Sequence, residues 1–307
     1  MPKGSPPRAL VIRTAGTNCD AEMCRAFESC GANVELVHVD RLIADPSQID
    51  AADLIGFPGG FSHGDDIASG RIFAMKLREK LSGPLRAAAA RGVPMIGACN
   101  GFQVMVQVGL LPGPIDGDWS HADAMQQKVS LASNAGGRFI DRWVRVVPNA
   151  ESNCIWTRPL VDVQRGNSED WESGKATGGR TVGGSNAHTT NDLMMLPIAH
   201  GEGRVVVKSA SGGGGGGGGE VLESLRAHGQ IALTYASDDN PNGSVADIAG
   251  ICDVSGRIFG LMPHPERYLE WTNHPFWTRL DISAQTGEAP GAMMFRAAVE
   301  AAVAMHA

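Results

Sequence analysis

A cysteine held between two glycines, Gly97-Ala98-Cys99-Asn100-Gly101, is the first place in this chain where residue type and spacing imply chemistry. An apolar run, Val93-Pro94-Met95-Ile96, leads into it and Phe102-Gln103 leads out. A G-x-C-x-G segment between a strand and a helix is the cysteine form of the nucleophile elbow, which lifts its central side chain out of the sheet into a cleft. The glycines are required because the turn is strained and neighbouring backbone passes close by. The positive end of the following helix favours thiolate over thiol. A free thiol is ordinarily a small buried hydrophobe. Two flanking glycines at a strand-to-helix junction favour a nucleophile instead.

A nucleophilic thiol needs a base and a group to orient that base. Pro263-His264-Pro265-Glu266 follows an apolar run and supplies both. A residue before proline is held extended, so His264 and Glu266, two apart, fall on one side. Glu266 can then orient the His264 ring while its other nitrogen faces Cys99. Phe57-Pro58-Gly59-Gly60 ends another apolar run. The backbone N–H of Gly60, with that of Asn100, can hold a developing oxyanion. Metal chemistry competes for His264 and Glu266, and His63, Asp65 and Asp66 make a second acidic patch. No HExxH or paired-cysteine spacing accompanies either group, so no metal and no cofactor is expected in this chain. His63-Gly64-Asp65-Asp66 reads as a loop beside the cleft.

The elements that must position these groups follow from the hydrophobic pattern. Ala9–Ile12, Val34–Val39, Asp53–Phe57 and the run before Cys99 read as strands. They alternate with helices expected over Cys19–Cys30 and Arg71–Arg91, which implies βαβ units. The second half reads differently. Arg142–Val147 alternates like an edge or antiparallel strand, Gln230–Tyr235 is another, and Ala249–Asp253 with Arg257–Met262 form a hairpin around Val254-Ser255-Gly256. Ala292–Met305 reads as a closing amphipathic helix. The expected fold class is α/β: a mostly parallel central sheet with helices on both faces and antiparallel strands in the C-terminal half. One domain over 1–307 is expected, with flexible insertions at about 158–191 and 211–219, the latter holding eight consecutive glycines. That glycine run lacks the Lys-Ser or Lys-Thr of a phosphate-binding loop.

The chain has 307 residues, 43% of them hydrophobic, and a formal net charge of -7. It has no basic run, which disfavours nucleic acid and anionic membrane as partners. No stretch is long and apolar enough to span a bilayer. The first eight residues lack the apolar core of a signal peptide. The six cysteines show no paired spacing, so free thiols and a reducing, cytoplasmic setting are expected.

Taken together, these residues resemble the class I glutamine amidotransferases, whose elbow reads G-x-C-x-G-x-Q and whose triad is Cys-His-Glu. More narrowly they resemble the branch that serves as the glutaminase subunit of phosphoribosylformylglycinamidine synthase in purine biosynthesis. Gly16–Asp20, Pro58–Asp65, Gly97–Gln103, Gly109–Gly113, Pro197–Gly203, Asn242–Ser244 and Pro263–Arg267 carry the resemblance in the family's order. The resemblance implies hydrolysis of glutamine to glutamate and ammonia by Cys99, His264 and Glu266, with Gly60 and Asn100 at the oxyanion. It implies substrate contact by Gln103, and places His200 and Glu202 on a loop near the glutamine head group. It also implies partners: a synthetase subunit carrying ATP and Mg²⁺, and a small accessory subunit. The chain departs from the family pattern at Ala15-Gly16, where Pro-Gly is common, at His63, where tyrosine is common, and in the two insertions. A cysteine peptidase on a related fold has no use for Gln103 and His-Gly-Glu-Gly. A non-catalytic module has no use for an intact triad.

Overall fold

Alternation along the first strand decides which face each side chain serves. In β1 (Arg8–Arg13), Leu10 and Ile12 enter one hydrophobic cluster while Ala9 and Val11 enter another on the opposite face. The computed structural model describes residues 5–65, 67–121, 125–164, 193–207, 218–280, 285 and 287–306. α1 (Asp20–Ser29) and the closing helix Pro290–Ala304 cover the Ala9/Val11 face. β2 (Asn33–His38), α2 (Val39–Ala44), α3 (Ser47–Asp50), β3 (Leu54–Phe57), α4 (Arg71–Lys80), α5 (Ser82–Ala90), β4 (Met95–Ala98) and α6 (Asn100–Val108) follow. Helices α2 to α6 contribute to the cluster on the Leu10/Ile12 face. The expected two-sided cover is therefore present.

The second half contributes β5 (Val129–Ala132), β6 (Ile140–Pro148), β7 (Met195–His200), β8 (Arg204–Val207), the helix Gly218–Ala227, β9 (Ile231–Tyr235), β10 (Ile248–Cys252) and β11 (Ile258–Leu261). Nine strands form one sheet in the order β2-β1-β3-β4-β11-β10-β9-β6-β7, and β5 pairs with β8 separately. Pairing is parallel from β2 to β11 and antiparallel from β11 to β7. β4 and β11 lie side by side in register, Ala98 opposite Leu261, at the centre of the sheet. Both are buried along their whole length.

Two local expectations need correction. The single helix over Arg71–Arg91 is two helices that meet at Leu81, because Pro84 has no N–H to continue the ladder and Gly83 adds flexibility. Arg142–Val147 is antiparallel as expected but not at the edge: β7 lies outside it. β7 carries Pro197, a residue that argues against a strand in sequence and is tolerated at a sheet edge. Of the expected insertions at about 158–191 and 211–219, residues 165–191 and 211–217 lie outside the described residues. At their margins 158–164 is helical, and Gly218 and Gly219 open a helix. Among the described residues, no helix is long and apolar enough to cross a membrane.

Phe27 of α1, Phe295 of the closing helix and Trp156 pack edge to face, with centroids 5.0 Å apart for Phe27–Phe295 and 6.5 Å for Phe27–Trp156. All three are fully buried. Phe27→Ala is expected to cost about 3–5 kcal/mol by leaving a cavity under α1. Urea unfolding followed by tryptophan fluorescence measures it.

Candidate active site

Parallel strands release their C-terminal ends on one edge of the sheet, where loops can converge. Four such ends do so here. β1 leads to Thr14–Cys19, β3 to Pro58–Gly60, β4 to Cys99 and β11 to His264. Because Phe57 pairs with Gly97 and Ala98 with Leu261, the three central loops start at nearly the same level. Cys99 and His264, 165 positions apart in sequence, are brought to one site by this register alone.

Cys99 caps α6 with φ 52 and ψ -109, a strained backbone for a residue with a Cβ. Its N–H donates to Leu261 O (2.8 Å) and Gln103 N–H donates back to Cys99 O (3.1 Å). The thiol is 5% exposed and donates to Ala199 O at 3.6 Å. Gly101 is required by close approach: a Cβ there would stand 1.8 Å from Phe57 O. Gly101→Ala is expected to push α6 off β3, cost at least about 1–3 kcal/mol, and move Cys99 with it. A lowered thermal midpoint together with slower alkylation of Cys99 is the expected result.

His264 and Glu266 are 1% and 2% exposed, and Nδ1 lies 2.6 Å from Glu266 Oε1. Burial pushes the imidazole toward neutrality. The Glu266 carboxylate, then the Cys99 and Cys19 thiols, outweigh burial and hold its pKa well above the ordinary histidine range. Both thiols interact with the ring, while Nε2 is buried without a hydrogen bond of regular geometry. The backbone N–H of His264 donates to Pro197 O (2.9 Å), which ties this loop to β7.

Gly60 has φ 144, and a Cβ on it would stand 2.7 Å from Asn18 N and Gly16 O. The N–H groups of Asn18 and Cys19 donate to Gly59 O, and Phe61 N–H donates to Gly16 O (2.9 Å). These bonds weld the Gly60 loop to the loop after β1. Asn100 opens α6, where backbone N–H groups lack intrahelical partners. Its side-chain amide donates to Gln103 Oε1 (2.9 Å) and Asp65 Oδ1 (3.3 Å). Gln103 in turn donates to Glu202 O.

His200 closes β7 and Glu202 follows it in a turn, so only Glu202 lies on the loop expected for both. Glu202 Oε2 accepts from Ser69 N–H (3.2 Å). Burial first, and then the nearby His264, push the His200 pKa down to about 4. His200 is therefore neutral near pH 7. Its Nδ1 lies 3.0 Å from Asn134 Oδ1. The expected cleft-side loop is present over Ser62–Asp65, with His63 Nε2 3.0 Å from Thr14 Oγ1. Asp66 lies outside the described residues. Burial raises the Asp65 pKa, against hydrogen bonds from Ser69 and Gly70, with Glu202 raising it further.

Three neighbours of the site escape sequence reasoning. Asn134 bonds His200 and also accepts from Gly203 N–H (3.2 Å). It belongs to none of the motifs that mark the site in sequence. Cys19 is 1% exposed, and its thiol donates to Asn18 Oδ1 (3.2 Å) and accepts from Arg267 Nη2 (3.1 Å). Both Cys19 and Arg267 fall in the segments that carry the family resemblance, which is the only signal that could have singled them out.

An elbow thiol beside a buried imidazole–carboxylate pair, at the C-terminal edge of an α/β sheet, is the arrangement of a cysteine-dependent acyl-transfer enzyme. Comparison narrows that class. A family profile described as the CobB/CobQ-like glutamine amidotransferase domain matches residues 6–172 and 184–300. The chain belongs to this glutamine amidotransferase family. It is 36% identical over 280 residues to the phosphoribosylformylglycinamidine synthase subunit PurQ of Dehalococcoides mccartyi, covering 88% of this chain and 89% of that one. The Methanococcus maripaludis (strain C7) protein of the same name is 34% identical over 293 residues, covering 92% and 90%. A solved structure of PurLQS from Thermotoga maritima superposes with a TM-score of 0.60 at 28% identity, over 96% of this chain and 99% of that one.

Proposed function

We infer that this chain is the glutaminase subunit of phosphoribosylformylglycinamidine synthase, releasing ammonia from glutamine for a synthetase subunit. The observation that carries the chemistry is the delivery of Cys99 and His264–Glu266 to one edge by adjacent parallel strands. The family membership and the relatives named PurQ support glutamine as substrate. ATP and Mg²⁺ belong to the synthetase on this reading, and a small accessory subunit completes the complex. The setting is cytoplasmic, and the whole chain acts as one glutaminase unit.

The proposed reaction begins with the Cys99 proton resting on His264 Nε2, as the raised pKa of the ring favours. The thiolate adds to the side-chain carbonyl carbon of glutamine. The carbonyl oxygen takes the negative charge and is held by the N–H groups of Asn100 and Gly60. Collapse of the adduct breaks the C–N bond, and His264 gives its proton to the leaving nitrogen, which departs as ammonia. Water, deprotonated by His264, then splits the thioester to glutamate and restores the thiol. Glu266 keeps the ring oriented and stabilises its charged form throughout. Gln103 and Glu202 are proposed to flank the substrate, each braced by the bonds described above, with neutral His200 beside them.

Reconstitution tests the reading. With the cognate synthetase and accessory subunits, the chain is expected to support amidine formation from glutamine with one glutamate released per product. Glutamine-dependent synthesis that proceeds equally well without this chain would contradict it.

A further inference from the structure

The geometry points to a zinc site at Cys19, His264 and Glu266, which holds the candidate base in an inactive state when filled. One donor atom from each of these residues lies within 4.8 Å of the other two, and all three residues are buried. Thiolate, imidazole and carboxylate are the donor set of protein zinc, and three protein ligands leave a fourth position for water. Cys19 sits against the imidazole: a Cβ built on Gly59 would lie 2.7 Å from His264 Cε1 and 3.3 Å from Cys19 Sγ. Glu266 Oε2 is buried without a hydrogen-bond partner, so the carboxylate has an unused oxygen to offer a cation. Neither Cys19 nor that oxygen takes part in the proposed reaction.

Binding is a ligand exchange without redox change. The ion displaces one proton from the His264 ring, and the Cys19 thiol releases its own, so affinity falls as pH falls. The Arg267 guanidinium, 3.1 Å from Cys19 Sγ, keeps its hydrogen bond to the thiolate but opposes any cation by its charge. The thiolate itself favours zinc over Mg²⁺ and Ca²⁺, whose ligands are oxygen. A filled site takes Glu266 away from its orienting role. The inhibition, though not the binding, rests on the catalytic role proposed above for His264–Glu266.

Equilibrium dialysis of the metal-free full chain against buffered Zn²⁺ tests the site, with Co²⁺ as the optical probe. One Zn²⁺ per chain is expected, with a thiolate-to-cobalt absorption band. Cys19→Ser is expected to abolish the band and weaken Zn²⁺ binding by about tenfold or more. Glu266→Gln is a second variant with the same expectation of weaker binding, should Cys19→Ser not fold. Cys99→Ser is expected to keep both binding and band. In the reconstituted complex, Zn²⁺ is expected to inhibit glutamine-dependent synthesis reversibly, with the half-inhibiting concentration rising in Cys19→Ser as binding weakens. Absence of stoichiometric binding overturns the site, as does affinity lost in Cys99→Ser but retained in Cys19→Ser. Binding without inhibition keeps the site and overturns the role given to His264–Glu266.

Discussion

Cys99→Ser is expected to lower glutamine-dependent synthesis by the reconstituted complex by more than about 10³-fold while leaving ammonia-dependent synthesis within about twofold. The split follows from the division of labour. Serine is close in size, so the elbow with φ 52 and its bonds to Leu261 O and Gln103 N–H is retained. The hydroxyl ionises far less readily than the thiol, and the base beside it is matched to a thiol. Free ammonia bypasses this chain and reaches the synthetase directly. Equal loss of both activities would mean that Cys99 serves the fold or the subunit contact. Parallel assays with glutamine and with ammonium chloride decide it.

Glu266→Gln is expected to reduce glutamine-dependent turnover by about 10²–10⁴-fold, again sparing the ammonia reaction. The carboxylate is 2% exposed and 2.6 Å from His264 Nδ1. The amide keeps the shape but removes the charge that offsets burial of an imidazolium. A glutamine side chain can also present its NH₂ to Nδ1, which would favour the tautomer carrying the proton on Nε2. His264 would then be unable to accept the thiol proton. Turnover measured with saturating glutamine isolates this effect from substrate affinity. Wild-type turnover in the variant would remove Glu266 from the mechanism.

The central half of the site was legible because it is written in local rules. Gly97 and Gly101 around Cys99 mark a turn that few residue types can make, and Gly101 lies where a Cβ would meet Phe57 O. His264 and Glu266 were legible because they directly follow the apolar run Arg257–Met262, and proline after His264 holds it extended. Features made by through-space pairing were not. Asn134 reaches His200 only because β7 lies against β6 and the turn after β7 folds back onto the loop before β6. Cys19 meets His264 only through the weld between the loops after β1 and β3. β7 itself was hidden by Pro197, whose strand-breaking signal is harmless at an edge. The break at Leu81 was in plain view as Gly83-Pro84, but a continuous apolar pattern on both sides masked it.

Treatment of the chain with an electrophilic glutamine analogue, followed by peptide mapping, bears most directly on the claim that Cys99 is a glutamine-directed nucleophile. A single adduct on the peptide carrying Cys99, prevented by excess glutamine and absent from Cys99→Ser, is the predicted result. An adduct on Cys19 or another thiol with Cys99 unmodified would contradict the account.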